Sequence, residues 1–253
     1  MQAELSKEME QHTYEIMNRV EDSHWWFVGR RLILESFLQQ IIQKIRNPQS
    51  AIRILDVGCG TGANLEMLAN FGEAEGVDVS DDALEFCRAK GLKTHKGLAE
   101  KLPFADESFD LVTALDVVEH LDDDVAGLKE MNRVLKKEGR TLIFVPAFMW
   151  LWGVQDDISN HRIRYTKRQI VERMEKAGFE IERATYANWT FFAPILAGRV
   201  LMKITKIKPE SENNINVSAL NGVLGKIFGA ERFWLKRANF PLGVSIVIAA
   251  KKK

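Results

Sequence analysis

The chain has 253 residues, 46% of them apolar, enough for one full hydrophobic core and a single α/β domain. Basic and acidic side chains balance at 35 each, and a net charge of zero argues against nucleic acid as the main partner, because phosphate binding needs a basic field. Only Cys59 and Cys87 are present, which excludes a disulfide framework; neither has metal-ligand spacing with the five histidines, so no metal site is expected.

The N-terminus, Met1 to Glu8, is polar and lacks the apolar core of a signal peptide. No apolar run reaches the roughly 18 residues needed to span a bilayer, so a reduced, cytoplasmic protein is expected. Residues 5–46 read as helical, with Ile33, Leu34, Phe37, Leu38, Ile41, Ile42 and Ile45 at helical spacing and Asn47-Pro48 as the stop. Within that stretch lies His24-Trp25-Trp26-Phe27-Val28-Gly29-Arg30-Arg31. Three consecutive aromatics cannot share one helix face, since successive residues turn by about 100°. One or two of them should therefore cover something other than the local core.

Strands follow near 52–57, 74–78, 93–96, 109–115 and 140–146, and helices near 62–70, 81–90, 123–137 and 166–177. This alternation predicts a parallel sheet with helices on both faces and a ligand at the point where the strand order reverses. Thr166 and Gln169 have the spacing of a capping box. Residues 179–187 and 242–250 read as two final strands. Between them, residues 189–240 are far too long for a hairpin turn and form a helical insertion. In 190–208, Phe192, Leu196, Val200, Ile204 and Ile207 line one helical face, with Arg199, Lys203 and Lys206 on another. Such a helix packs on the domain, covers a pocket, or lies on a membrane surface.

The most informative segment is Arg53-Ile54-Leu55-Asp56-Val57-Gly58-Cys59-Gly60-Thr61-Gly62, a buried strand running into three alternating glycines and a helix. Glycines let the backbone turn tightly and approach a ligand, and the following helix points free N–H groups into the turn. Asp78, ending the next apolar run, can accept both hydroxyls of a ribose. The ligand therefore contains a nucleoside. The spacing G-x-G-x-G differs from the dinucleotide fingerprint G-x-G-x-x-G. Asp56, beside the turn, would repel a pyrophosphate but suits an ammonium group.

Leu-Asp-Val-Gly-Cys-Gly-Thr-Gly closely resembles the first motif of the class I S-adenosylmethionine-dependent methyltransferases. The resemblance continues through Gly76-Val77-Asp78-Val79-Ser80, Ala99-Glu100-Lys101-Leu102-Pro103-Phe104, Ser108-Phe109-Asp110-Leu111-Val112 and Val118-Glu119-His120-Leu121, covering about residues 50–150 in order. It implies an α/β fold with a doubly wound, mostly parallel seven-stranded sheet, the last strand inserted antiparallel. The implied organisation is one domain over 1–253: a helical cap at 1–48, a cofactor-binding core at 50–188, the insertion at 189–240 and the last strand at 241–250. The implied cofactor is S-adenosylmethionine, its methyl passing to an oxygen or nitrogen of a small-molecule or lipid-like substrate. A nucleotide-dependent oxidoreductase and a non-catalytic cofactor-binding regulator are the alternatives.

By the same resemblance Gly58, Gly60 and Gly62 surround the methionine part and ribose, Asp78 takes the ribose hydroxyls, and Val79 lies against the adenine. Ala99 and Glu100 fall near the adenine edge. Many relatives carry an acidic residue just before the alanine; Leu98 stands there, so Glu100 or a backbone carbonyl is left to meet the adenine amine. Leu115 and Asp116 end the fourth strand beside the methionine moiety, where Asp116 accepts from the ammonium, contacts substrate or caps a helix. The His-Trp-Trp-Phe segment looks like the N-terminal signature of a bacterial branch of the family. There Trp26 would meet the sulfonium and Arg30 the cofactor carboxylate, unless the aromatics simply pack the helix onto the sheet. His120 is catalytic or architectural. Asp156 to Tyr165 follow the fifth strand and combine acid–base and anion-binding side chains, with His161 as general-base candidate and Tyr165 beside it; the same loop would serve equally as a hydrogen-bonded lock. Peripheral membrane contact through 190–208 is a further expectation, and nothing in the sequence sets the oligomeric state.

Overall fold

The computed structural model describes residues 11–45, 50–205 and 218–253. The expected start of the N-terminal helix, its Asn47-Pro48 stop, and Lys206 and Ile207 lie outside them. Two helices, α1 (Gln11–Val20) and α2 (Trp25–Lys44), precede the sheet. The stretch read as helical divides at residues 21–24, where the His24 side chain accepts from the Trp26 N–H and caps α2.

Then follow β1 (Arg53–Val57), α3 (Ala63–Ala69), β2 (Glu73–Asp78), α4 (Asp81–Ala89), β3 (Thr94–Lys96), β4 (Phe109–Leu115), α5 (Asp124–Val134), β5 (Leu135–Pro146), α6 (Val154–Ile158) and α7 (Lys167–Lys176). The chain closes with β6 (Phe179–Ala187), α8 (Phe192–Thr205), α9 (Ser218–Gly229), α10 (Glu231–Leu235) and β7 (Ser245–Lys252). The sheet order is β3-β2-β1-β4-β5-β7-β6. Strands β1 to β5 pair in parallel, and β7 enters antiparallel between β5 and β6. This is the class I methyltransferase arrangement.

The central strands read as near-continuous apolar runs because both of their faces are covered. Alternate residues divide between two cores: Leu111, Leu115, Leu142 and Phe144 pack with α2 residues such as Ile33 and Phe37, while Val112, Ala114, Ile143 and Val145 pack with Leu128 and Met131 of α5 and Met174 of α7. Helix starts follow local chemistry. Ser80 caps α4, Asp123 caps α5, and Thr166 with Gln169 forms the expected capping box on α7. One boundary differs from the sequence reading: α5 stops at Val134 rather than 137, and Leu135 already pairs with Phe109, after which residues 136–139 of β5 bulge out before Arg140 pairs with Leu111. Glu138 turns there with φ of 62°, a conformation no helix continues through.

Candidate active site

The site grows from the turn after β1. Gly58, Gly60 and Gly62 all have positive φ, at 68°, 53° and 97°. A Cβ on Gly58 would also lie 2.4 Å from the Val117 side chain, so both backbone and space require glycine there. Gly60 faces open space, with nothing within 4 Å of where a Cβ would stand. The turn is tied to β2: the N–H groups of Gly58 and Cys59 donate to the Val77 carbonyl, and Gly60 N–H donates to Asp78 Oδ2 at 2.9 Å. Asp78 Oδ1 accepts from Ser80 N–H at 3.0 Å. Burial raises the Asp78 pKa, and the backbone donors of Ser80, Gly60 and Val79 oppose that rise.

This turn floors a cavity of about 540 Å³. Val79, Ala99 and Glu100 form one side; Leu115 and Asp116, at the end of β4, form another. The N-terminal helices roof it. Trp26 and Arg30 of α2 line the wall together with Tyr14 and Met17 of α1 and Glu21 just after it. Buried Glu21 accepts from Thr61 Oγ1 at 2.6 Å, within the glycine turn, and from Lys90 Nζ at 3.3 Å. Arg30 pairs with Asp116, donates to Asn64 Oδ1 at 3.1 Å and stands over the rings of Trp26 and Phe144 at 4.9 and 5.5 Å. All three consecutive aromatics contribute to the cavity lining, although Trp25 also packs on Phe191 and Phe228 and Phe27 is largely buried.

The far end of the cavity is polar. Asp116 holds φ of 62°, which a side-chain-bearing residue rarely adopts. His120 and His161 meet edge to face with ring centroids 4.8 Å apart. Burial, helped by the nearby His161, holds the His120 pKa down at about 3, so its ring is neutral at neutral pH. His161 Nδ1 lies 2.7 Å from Asp156 Oδ1. Asp156 is a fully buried hub that also accepts from Arg164 Nε and the Gly153 N–H, each at 2.7 Å, and has Arg199 at 3.7 Å. Burial pushes its carboxyl up, but the His161 bond and the Arg164 charge outweigh that and leave it at about 2. Arg199 also donates to the Leu151 carbonyl, which draws α8 down over the cavity, where Pro194, Ile195 and Met202 complete the wall.

Most of the residues singled out in the sequence converge here: Trp26, Arg30, Gly58, Gly60, Asp78, Val79, Ala99, Glu100, Leu115, Asp116, His120 and His161 all line the cavity. Three do not, and their roles are corrected. Tyr165 is fully buried; its hydroxyl donates to Asp124 Oδ2 at 2.8 Å and contacts the Val118 carbonyl, which makes it a lock on the loop rather than a group facing the cavity. Asp56 is buried beneath the turn and accepts from Thr113 Oγ1 at 2.6 Å. Gly62 caps α3, where a Cβ would strike Leu92 and Cys87, so it shapes the turn from behind. Arg199 also departs from the sequence reading: helical spacing puts it on the outer polar face, yet it is buried, while Val200, Leu201 and Ile204 are exposed. Glu21, Thr61 and Asn64 had no sequence signal beyond, for the latter two, lying beside the glycine turn.

A fold of this order, with a glycine turn after β1 and an acidic β2 terminus, is the fold of the class I methyltransferases. Residues 55–143 match the family described as methyltransferase domain. The protein carries a class I S-adenosylmethionine-dependent methyltransferase domain. Demethylmenaquinone methyltransferase of Chlorobaculum parvum is 34% identical over 142 residues, 53% of this chain and 55% of the relative. The chain spans about half the length of the curated relatives it matches. Among solved structures, an S-adenosylmethionine-dependent methyltransferase of Thermotoga maritima aligns with TM-score 0.57 and 23% identity over 96% of this chain and all of that one. Phosphoethanolamine N-methyltransferase 2 of Haemonchus contortus, in complex with S-adenosylmethionine, aligns with TM-score 0.52 and 21% identity over 85% of this chain and 52% of that one. The two structures share the fold.

The residues present fit that cofactor. Gly60 leaves room where a Cβ would project, Asp78 presents a carboxylate at the cavity wall, and Arg30 beside Asp116 offers paired opposite charges suited to the carboxylate and ammonium of an amino acid.

Proposed function

We propose that the protein is an enzyme transferring the methyl group of S-adenosylmethionine to an oxygen or nitrogen of a small, lipid-like molecule. The observation that carries this reading is one continuous cavity running from the glycine turn and Asp78 to the His120–His161 pair, with apolar walls from Trp25, Leu121, Ile195 and Met202. The bound sulfonium supplies an activated methyl and a good leaving group. What remains for the protein is to align a nucleophile, exclude water and take up a proton where the nucleophile carries one. Asp156 orients the His161 ring so that Nε2 points away from it, and His161 is the proton acceptor in this reading. A lipid-like acceptor agrees with the apolar walls and with the quinone substrate named for the Chlorobaculum relative.

Calorimetry with S-adenosylhomocysteine tests the cofactor half. Asp78→Ala should weaken binding by about 2–3 kcal/mol, some 30- to 150-fold, through the lost charge-assisted hydrogen bonds. A folded variant with the affinity of the parent would overturn the assignment. The acceptor half is read from release of S-adenosylhomocysteine over a panel of apolar hydroxyl and amine compounds.

A further inference from the structure

Glu119 is the least explained residue of the site. It follows β4 in the short turn Val118–His120, and none of its surface is exposed. Both carboxyl oxygens are buried, and neither has a hydrogen-bond partner among the described residues. A buried carboxylate with no partner is costly, and buried charges in proteins are paired or coordinate metals. Across the gap, His161 Nε2 lies 3.9 Å from Glu119 Oε1, too far for a hydrogen bond.

We infer that Glu119, His120 and His161 form a binding site for a divalent transition-metal ion at the polar end of the cavity. One donor atom from each residue lies within 4.8 Å of the others. In tetrahedral geometry, ligand bonds of about 2.0–2.2 Å set donors about 3.4 Å apart, so side-chain adjustments totalling about 1.5 Å close the set. The orientation of His161 is already that of a ligand. A carboxylate can only accept, so Asp156 takes the Nδ1 hydrogen and leaves the Nε2 lone pair directed toward Glu119. A carboxylate behind a histidine is the usual support for a metal-bound imidazole. Two imidazoles and one carboxylate select Zn²⁺, Fe²⁺, Co²⁺ or Mn²⁺ over Mg²⁺ and Ca²⁺, which prefer all-oxygen sets.

Around the group, Asp116 pairs with Arg30, and Asp156 with Arg164 and, at 3.7 Å, with Arg199. His120 and His161 also line the cavity, so the open side of an ion held there faces bound molecules. Its role in turnover rests on the methyltransferase reading: the ion would grip an acceptor oxygen and favour loss of its proton, replacing His161 as proton acceptor, because the Nε2 lone pair would then be held by the ion. Its binding does not rest on that reading.

The test uses the full chain after chelator treatment, titrated separately with Zn²⁺, Co²⁺ and Mn²⁺, with S-adenosylhomocysteine titrated in parallel. One equivalent of at least one metal should bind, with ligand-field bands in the visible for Co²⁺. Glu119→Gln and His161→Ala should each weaken binding at least about tenfold. If Glu119→Gln fails to fold, His161→Ala decides alone. No stoichiometric binding of any of the three metals, or equal affinity in the folded variants, would overturn the site and leave the carboxyl neutralised by a proton. Because S-adenosylhomocysteine is measured separately, normal binding of it would then keep the methyltransferase reading intact. Metal binding without it would support the site and count against the reading.

Discussion

Asp56 shows what one buried carboxyl does to pH dependence. Burial pushes its pKa from an ordinary 3.8 up to about 7, against the Thr113 hydrogen bond and the Arg30 charge. The folded chain thus keeps a proton that the unfolded chain gives up near pH 3.8. The associated stability is complete below that pH and is lost as pH rises toward 7, at about 1.4 kcal/mol per unit. Between about pH 5.5 and about pH 8 the parent should lose roughly 2 kcal/mol more than Asp56→Asn in urea unfolding. Parallel curves for the two proteins would show that Asp56 is ionised across the range. Asp56 also marks the limit of reading residues from sequence. Its place beside the glycine turn is legible, but whether its side chain points into the cavity or beneath the turn depends on Thr113, in a neighbouring strand. Tyr165 repeats the lesson. Its loop is legible; its direction is set by Asp124, at the start of α5. The glycine turn and Asp78 were readable because their role lies in backbone geometry, which sequence spacing encodes directly.

At the scale of elements, strands and helices with a local cause were legible and those with a tertiary cause were not. Ser80, Asp123 and Thr166 mark helix starts by their own side chains. The early end of α5 depends on Leu135 pairing with Phe109, and the break between α1 and α2 sits where Glu21 meets Thr61. In α8 the periodicity misleads, because the buried Asp156 draws Arg199 inward and turns apolar residues out. Ile204 is 73% exposed, with Val200, Leu201 and Lys203 beside it on the exposed helix. No described helix is long and apolar enough to cross a membrane. An exposed apolar strip with a basic residue instead suits the interface of a lipid bilayer, which is where a lipid-like substrate would be met. Flotation with anionic liposomes should carry the protein upward, and Leu201→Glu with Ile204→Glu should cut the bound fraction severalfold. Equal flotation of parent and double variant would place any contact elsewhere.

Across the whole molecule, the strand order reverses beside β1, with β2 on one side and β4 on the other. The carboxyl ends of β1, β2 and β4 therefore diverge and leave a crevice, and the loops from all three strands reach it. This explains why residues as distant as Gly60, Asp78 and Asp116 share one cavity, and why the alternation of strands and helices was enough to place it. The helical roof was less legible. Its two halves come from opposite ends of the chain, α1 and α2 before the sheet and α8 after β6, and nothing in local spacing says that they meet.

That roof has a consequence for timing. Glu21 is joined at once to Thr61 in the glycine turn and to Lys90 after α4, so α1 is fastened over the place where the nucleoside would lie. A molecule beneath such a fastening leaves only as often as the fastening opens. Spent cofactor should consequently have a long residence time, survive purification, and make the release step slower than methyl transfer. Stopped-flow displacement of S-adenosylhomocysteine reads this directly. Glu21→Ala should speed dissociation by about tenfold, equivalent to about 1.4 kcal/mol. An unchanged dissociation rate would mean that exchange takes another route, beneath α8, and that α1 merely insulates.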